Sequence, residues 1–239
     1  MSWVPSSYLA EGIPFALVIW VAGTMFKDLG HSDGEITLAT ASIGIAWSLK
    51  PFWAAFLDMF KTKKFFVLLM EVVMALLCCA IAVALPLPNY FQITIAVLWV
   101  MAFASATQDI CVDGVYITSL DEKGQAKYIG VQGVFWSVGR LFGTALIVYI
   151  AGTLKEDFHL STTAAWSWAM GVSAATLALL AVYHWFMLPT GSIGDRPESI
   201  KAAFGTFWEA VIDFFKKDSI WGMLLFVFLY RSSEGLLLI

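Results

Sequence analysis

The chain has 239 residues, of which 60% are apolar and 13% charged, with a mean hydropathy of +0.79. A soluble domain runs at about 45–50% apolar and about 25% charged, so soluble enzymes, nucleic-acid binders and secreted disulfide scaffolds are poor candidates. The net charge of −4 says little about partners, because in a membrane protein the location of charge matters more than its sum.

A membrane-spanning helix needs about 20 largely apolar residues, and seven such stretches are expected, at 6–26, 36–58, 65–86, 91–119, 128–153, 162–188 and 219–239. No Arg/Lys-rich start precedes a short apolar run, so no signal peptide is expected. Loop chemistry fills the gaps, as in Lys61-Thr62-Lys63-Lys64, Pro86-Leu87-Pro88-Asn89 and Asp121-Glu122-Lys123-Gly124. The runs are too long and continuous for a transmembrane β-barrel. Cys78, Cys79 and Cys111 lie in apolar runs and read as small core residues rather than a disulfide or zinc framework.

Basic residues set the orientation. Loops 2–3, 4–5 and 6–7 carry Lys61, Lys63, Lys64, Lys123, Lys127, Arg196, Lys201, Lys216 and Lys217, whereas the alternate loops carry Lys27 and Lys155. This asymmetry puts the N-terminus in the cytoplasm. Residues 189–218 read as a cytoplasmic linker holding an amphipathic helix, with Ile200, Phe204, Phe207, Trp208, Val211, Ile212 and Phe215 on one stripe. Such a helix is expected to lie flat on the inner membrane face. Residues 1–188 form the expected six-helix bundle, and 219–239 the first helix of a second bundle. The chain stops at Leu236-Leu237-Leu238-Ile239, inside a span. The expected fold class is therefore all-α and polytopic, with about 7 spans present of about 12.

Ionisable groups at membrane depth are costly, so each is a site candidate. Span one holds Glu11 beside a Gly12-Ile13-Pro14 break; span two holds Lys50 before Pro51, with Asp58 at its inner end. Span three holds Glu71, span four Asp109 and Asp113, span five Arg140, and span seven Arg231 and Glu234. Ser105, Asp109 and Asp113 share one face of span four, and Gln132, Trp136, Arg140 and Thr144 share one face of span five. At 1.5 Å per residue, Asp109 and Arg140 lie roughly 15 and 20 Å from the inner ends of their helices. The two faces are expected to meet near mid-membrane and form an ion pair. Asp109 and Arg140 read as functional, whereas Glu71 and Asp58, nearer the interface, read as helix-locking charges. Gly139 and Gly143 mark a close helix crossing. His31 and His159 fall in external loops and His184 stands alone, so neither a metal site nor a cofactor is expected.

Several segments then resemble a known family. The six-plus-linker-plus-six plan is similar to the major facilitator superfamily, and within it to the AmpG-type muropeptide permeases and their acetyl-CoA transporter relatives. The resemblance is carried by Ala10-Glu11-Gly12-Ile13-Pro14, Leu49-Lys50-Pro51-Phe52-Trp53 leading to Asp58, and most strongly by Ser105-Ala106-Thr107-Gln108-Asp109-Ile110 with Val112-Asp113-Gly114. Gly139-Arg140-Leu141-Phe142-Gly143 and Tyr230-Arg231 add to it. The superfamily's loop 2–3 signature survives as Asp58 with Lys61, Lys63 and Lys64, its glycine replaced by Ala54 and the basic residue after the Asp by Met59.

The resemblance implies a proton-driven symporter of the bacterial inner membrane, importing anhydromuropeptides by alternating access. It implies proton coupling at Asp109, then Asp113 and Glu11. Substrate contacts are expected from Arg140, Arg231, Glu234, Lys50 and Gln132, with Trp136 stacking on sugar. Asp58, Lys61, Lys63 and Lys64 would form an inner-face gate. The implied partners are a small-molecule substrate, protons and the lipid bilayer, with no nucleic acid, and the protein would act as a monomer. A membrane-embedded enzyme would need a nucleophile, metal or His cluster at an interface, which the sequence does not offer. A sensor built on a transporter scaffold would keep the fold and lack transport. Substrates of another class, such as acyl-CoA, sugar or peptide, are the alternative within the family.

Overall fold

The computed structural model describes residues 1–60, 62–191 and 200–236; at 55, 56, 58–60, 200–204, 206, 207, 210 and 230–236 it describes the backbone alone. Among the described residues every regular element is helical. The chain forms two compact units, Met1–Gly194 and Asp195–Ile239.

In the first unit, α1 (Trp3–Ala16), a wide π turn (Leu17–Val21) and α2 (Ala22–Asp28) make one continuous span. The expected break at Gly12-Ile13-Pro14 is absent. Pro14 sits inside α1, and a π turn follows it at Leu17–Val21.

The second expected span is instead three short helices, α3 (Asp33–Thr40), α4 (Ile45–Ser48) and α5 (Pro51–Phe60). Between α3 and α4 the chain tightens into three-residue turns, Ile43 N–H to Thr40 O and Ile45 N–H to Ser42 O, while the Thr40 hydroxyl donates to the Ile36 carbonyl at 2.8 Å. Between α4 and α5, Pro51 has no N–H to continue the ladder and disfavours a helical Lys50.

Four long helices follow. They are α6 (Lys63–Ala84), α7 (Tyr90–Ser119), α8 (Glu122–Leu141) continuing through a π turn (Phe142–Ile147) into α9 (Val148–Glu156), and α10 (Thr162–Met187). Their starts carry the caps the sequence advertises: Thr62, Asp121 and Ser161 each accept from a backbone N–H three residues on. With Trp3–Asp28 these make five helices, among the described residues, that are long and apolar enough to cross a membrane. The second unit comprises α11 (Ile200–Lys216) and α12 (Ile220–Leu236), whose described apolar stretch is Ile220–Leu229. On α11, Trp208, Ile212 and Phe215 are exposed.

α1 packs along α8, and α6 packs against both α7 and α10. Two apolar clusters divide the first unit. One gathers Ile13, Met74, Met101 and Leu177; the other gathers Val4, Tyr8, Val67, Val112 and Leu188. Between them, at matching positions on four helices, lie the buried polar residues Glu11, Glu71, Gln108 and His184. Cys78 and Cys111 are buried as expected, but Cys79 is exposed, about 100° round α6 from its neighbour.

The α1–α8 crossing depends on glycines. A Cβ on Gly12 would strike the Trp136 carbonyl, and one on Gly139 would strike the Leu9 carbonyl and come within 3.1 Å of Gly12 Cα. Gly143 faces Ala16 in the same way. Gly139→Ala should therefore cost about 1–3 kcal/mol despite the better helix propensity of alanine. A melting temperature of the purified full-length variant equal to wild type would show a looser crossing.

Candidate functional site

The break before Pro51 places Lys50 beside α7, where its Nζ pairs with the Asp109 carboxylate. Both side chains are less than a third exposed, so the pair sits largely out of water. Glu11 comes from α1 and Asp113 from one turn further along α7. Carboxylate oxygens of Glu11, Asp109 and Asp113 all lie within 4.8 Å of one another. Asp113 accepts from the Tyr8 hydroxyl at 2.8 Å, and Tyr8 in turn accepts from Gln132 Nε2 at 2.6 Å. Glu11 is only 5% exposed, and its Oε1 has no hydrogen-bond partner among the described residues.

These groups line a cavity of about 390 Å³ bounded by Tyr8, Glu11, Asp109, Asp113, Ile129, Gln132, Gly133 and Trp136. Three carboxylates this close cannot all carry full charge at membrane depth without compensation. Lys50 supplies one positive charge, so the cluster is under-compensated when all three carboxylates are ionised.

The expected Asp109–Arg140 ion pair does not form. The Arg140 guanidinium lies over the rings of Trp20 at 5.5 Å and Trp136 at 5.8 Å, held by the glycine crossing that brings α8 against α1. Among the described residues it makes no ion pair, and the cation beside Asp109 is Lys50. Phe15 extends the aromatic cluster, 5.4 Å from Trp136 and 5.0 Å from Trp47. Arg140 therefore sits behind Trp136 rather than on the cavity wall.

Of the remaining site expectations, Lys63 and Lys64 open α6, with the Lys63 side chain lying over Gly114 and the Lys64 N–H donating to the Thr190 carbonyl. Lys61 and the side chains of Asp58, Arg231 and Glu234 fall outside the described residues.

Sequence reasoning missed Tyr8 and Trp20. Tyr8 stands one turn before Glu11, so helical spacing places them on one face, but its partner is 105 residues away. The pairing of His184 was missed as well. Its Nδ1 lies 2.6 Å from Glu71 Oε1, and Gln108 Nε2 donates to the same oxygen at 3.0 Å.

If Lys50 rather than Arg140 neutralises Asp109, a double-mutant cycle on thermal stability will separate them. Lys50→Ala with Asp109→Ala should show a coupling of about 1 kcal/mol or more, and Arg140→Ala with Asp109→Ala close to none. The reverse ranking would contradict the placement.

Comparison with known proteins bears on the family. The family model of the Major Facilitator Superfamily matches residues 6–237. A protein of Rickettsia conorii carrying the name "Putative transporter AmpG 4" is 23% identical over 96% of this chain and 55% of its own length. Its namesake in Rickettsia felis is 24% identical over the same shares. The chain spans about half the length of these curated relatives. A bundle of long apolar helices, a charged belt across its middle and a family match over nearly every residue lead to one conclusion: this chain belongs to the Major Facilitator Superfamily of membrane transporters.

Proposed function

We propose that the protein is a proton-coupled symporter of the bacterial inner membrane, importing a sugar–peptide of the anhydromuropeptide type by alternating access. The observation that carries this reading is the Glu11–Asp109–Asp113 cluster with Lys50 at the edge of a cavity in a transporter-family bundle. A carboxylate in this cluster of three acids and one lysine gains a proton when Lys50 moves away and gives it up when Lys50 returns, which couples proton binding to a change in helix packing. Asp109 is the first coupling residue, with Asp113 and Glu11 sharing its proton.

Substrate recognition follows from what faces the cavity. The carboxylates suit amino groups of a peptide stem, Gln132 offers an amide, and the Trp136 face suits a sugar ring. Arg140 holds Trp136 from behind, so its role becomes positioning rather than direct contact, while Lys50 is shared between Asp109 and substrate. Arg231 and Glu234 remain candidates on the seventh span, and Asp58, Lys61, Lys63 and Lys64 candidates for the inner gate. An acid-rich wall opposes a polyphosphate, which weighs against an acyl-CoA substrate.

The distribution of lysine and arginine supports an N-terminus in the cytoplasm. Residues 1–188 act as one bundle, 189–218 as a linker and 219–239 as the start of a second. The exposed Trp208, Ile212 and Phe215 suit a helix lying on the inner membrane surface. The protein acts as a monomer and without a cofactor, as a transporter rather than an enzyme.

The test is uptake of labelled anhydromuropeptide by cells lacking their own permease and expressing the full-length gene. Uptake is expected, falling at least tenfold with a protonophore. No uptake by protein shown to be in the membrane would discard the substrate, and uptake indifferent to the protonophore would discard proton coupling.

A further inference from the structure

The polar belt contains a second titratable group that the carboxylate cluster does not use. Glu71 on α6 and His184 on α10 are both fully buried. His184 Nδ1 meets Glu71 Oε1 at 2.6 Å, and Gln108 Nε2 donates to that oxygen. His184 Nε2 meets the Ser6 hydroxyl of α1 at 2.9 Å. Ser6 is half-buried and also lies 3.1 Å from the Trp3 carbonyl and 3.2 Å from the Ser2 carbonyl.

This geometry accepts either charge state of the ring without moving a heavy atom. With His184 neutral, Nδ1–H donates to Glu71 and the Ser6 hydroxyl donates to Nε2. With a proton added at Nε2, Nε2–H donates to Ser6 Oγ and the serine hydrogen turns to the Trp3 or Ser2 carbonyl. The site is also short of donors: Glu71 Oε2 and Gln108 Oε1 are buried with no hydrogen-bond partner among the described residues. A pocket with spare acceptors and a net negative charge in low dielectric gains from one more proton. A pair serving only to lock helices would not need a rotatable hydroxyl at its half-buried end.

We infer that the Ser6–His184–Glu71–Gln108 network is a second proton-binding site, loaded at His184 Nε2 through Ser6 from the face where the N-terminus lies. It joins four helices, α1, α6, α7 and α10. The groups around the pair are Ser6 and, within electrostatic reach, Glu11 from α1; Gln108 from α7; and Tyr183 from α10, its ring 5.6 Å from that of His184. Glu11 belongs to the carboxylate cluster, and Gln108 directly precedes Asp109. A proton at His184 therefore changes the field at the first site. The use of this site in transport rests on the proposed function; the existence of the site does not.

The experiment is nitrogen NMR of full-length protein labelled at histidine and held in lipid nanodiscs from pH 9 to pH 5. The His184 signals are assigned as those lost in His184→Asn and displaced in Ser6→Ala. The expected result is conversion of His184 from the neutral to the doubly protonated ring pattern within that range, with Glu71→Gln keeping the ring neutral throughout. A His184 ring that holds one protonation state from pH 9 to pH 5, or one that Glu71→Gln leaves unchanged, would overturn the inference. In parallel, initial uptake rates are taken against pH for wild type and Ser6→Ala. A wild type that shows no uptake would sink the transport reading while leaving the NMR result standing.

Discussion

The organisation of the first unit follows from one constraint, the cost of holding charge away from water. Lys50 and Asp109 lie on different segments of the chain, each less than a third exposed. Either one alone would cost several kcal/mol at membrane depth. Their pairing requires α5 to begin where it does, because the interruption before Pro51 is what frees the Lys50 backbone from a regular helix. A continuous second span would present a different side chain to α7. The irregular segment is buried on one side only: Ile43 and Ala46 are buried, whereas Ile45 and Phe52 are exposed.

The belt architecture extends the same logic. Polar residues at matching depths on α1, α6, α7 and α10 are flanked by apolar clusters on both sides. Buried polar groups in such a layer must satisfy one another, and most do, through the Gln132–Tyr8–Asp113 chain and the Gln108–Glu71–His184 network. Acceptors remain unpartnered among the described residues at Glu11 Oε1, Glu71 Oε2 and Gln108 Oε1. At the far end of the unit, Asp28 is tied to Lys155 at 2.5 Å and to the Trp166 indole at 2.9 Å, which pins α2 to α9 and α10.

Much of the fold is legible in the sequence, because a membrane helix writes its length directly into composition. The long spans from Lys63 to Met187 agree with expectation to within a few residues, apart from α8, which starts six residues earlier, at Glu122, where Asp121 caps it. Span two reads as one helix since apolar residues dominate its length despite Lys50; the breaks come from Thr40, Gly44 and Pro51, whose effects are local and easily outvoted in a hydropathy window. The site residues are legible as charges in the wrong solvent, but their partners are not. Arg140 is the stronger-looking partner for Asp109 by depth alone, and the structure gives that place to Lys50 because the Gly12–Gly139 crossing turns Arg140 onto Trp20 and Trp136. His184 looks solitary in the sequence because its partners lie 113 and 178 residues away.

The central claim is that Asp109 carries the coupling proton, and one comparison tests it most directly. Full-length wild type and Asp109→Asn are reconstituted in proteoliposomes, and labelled anhydromuropeptide is followed in two modes, exchange against unlabelled substrate and accumulation driven by an imposed proton gradient. The account predicts that Asp109→Asn keeps exchange and loses gradient-driven accumulation. Accumulation by the Asp109→Asn protein at the wild-type level would contradict it.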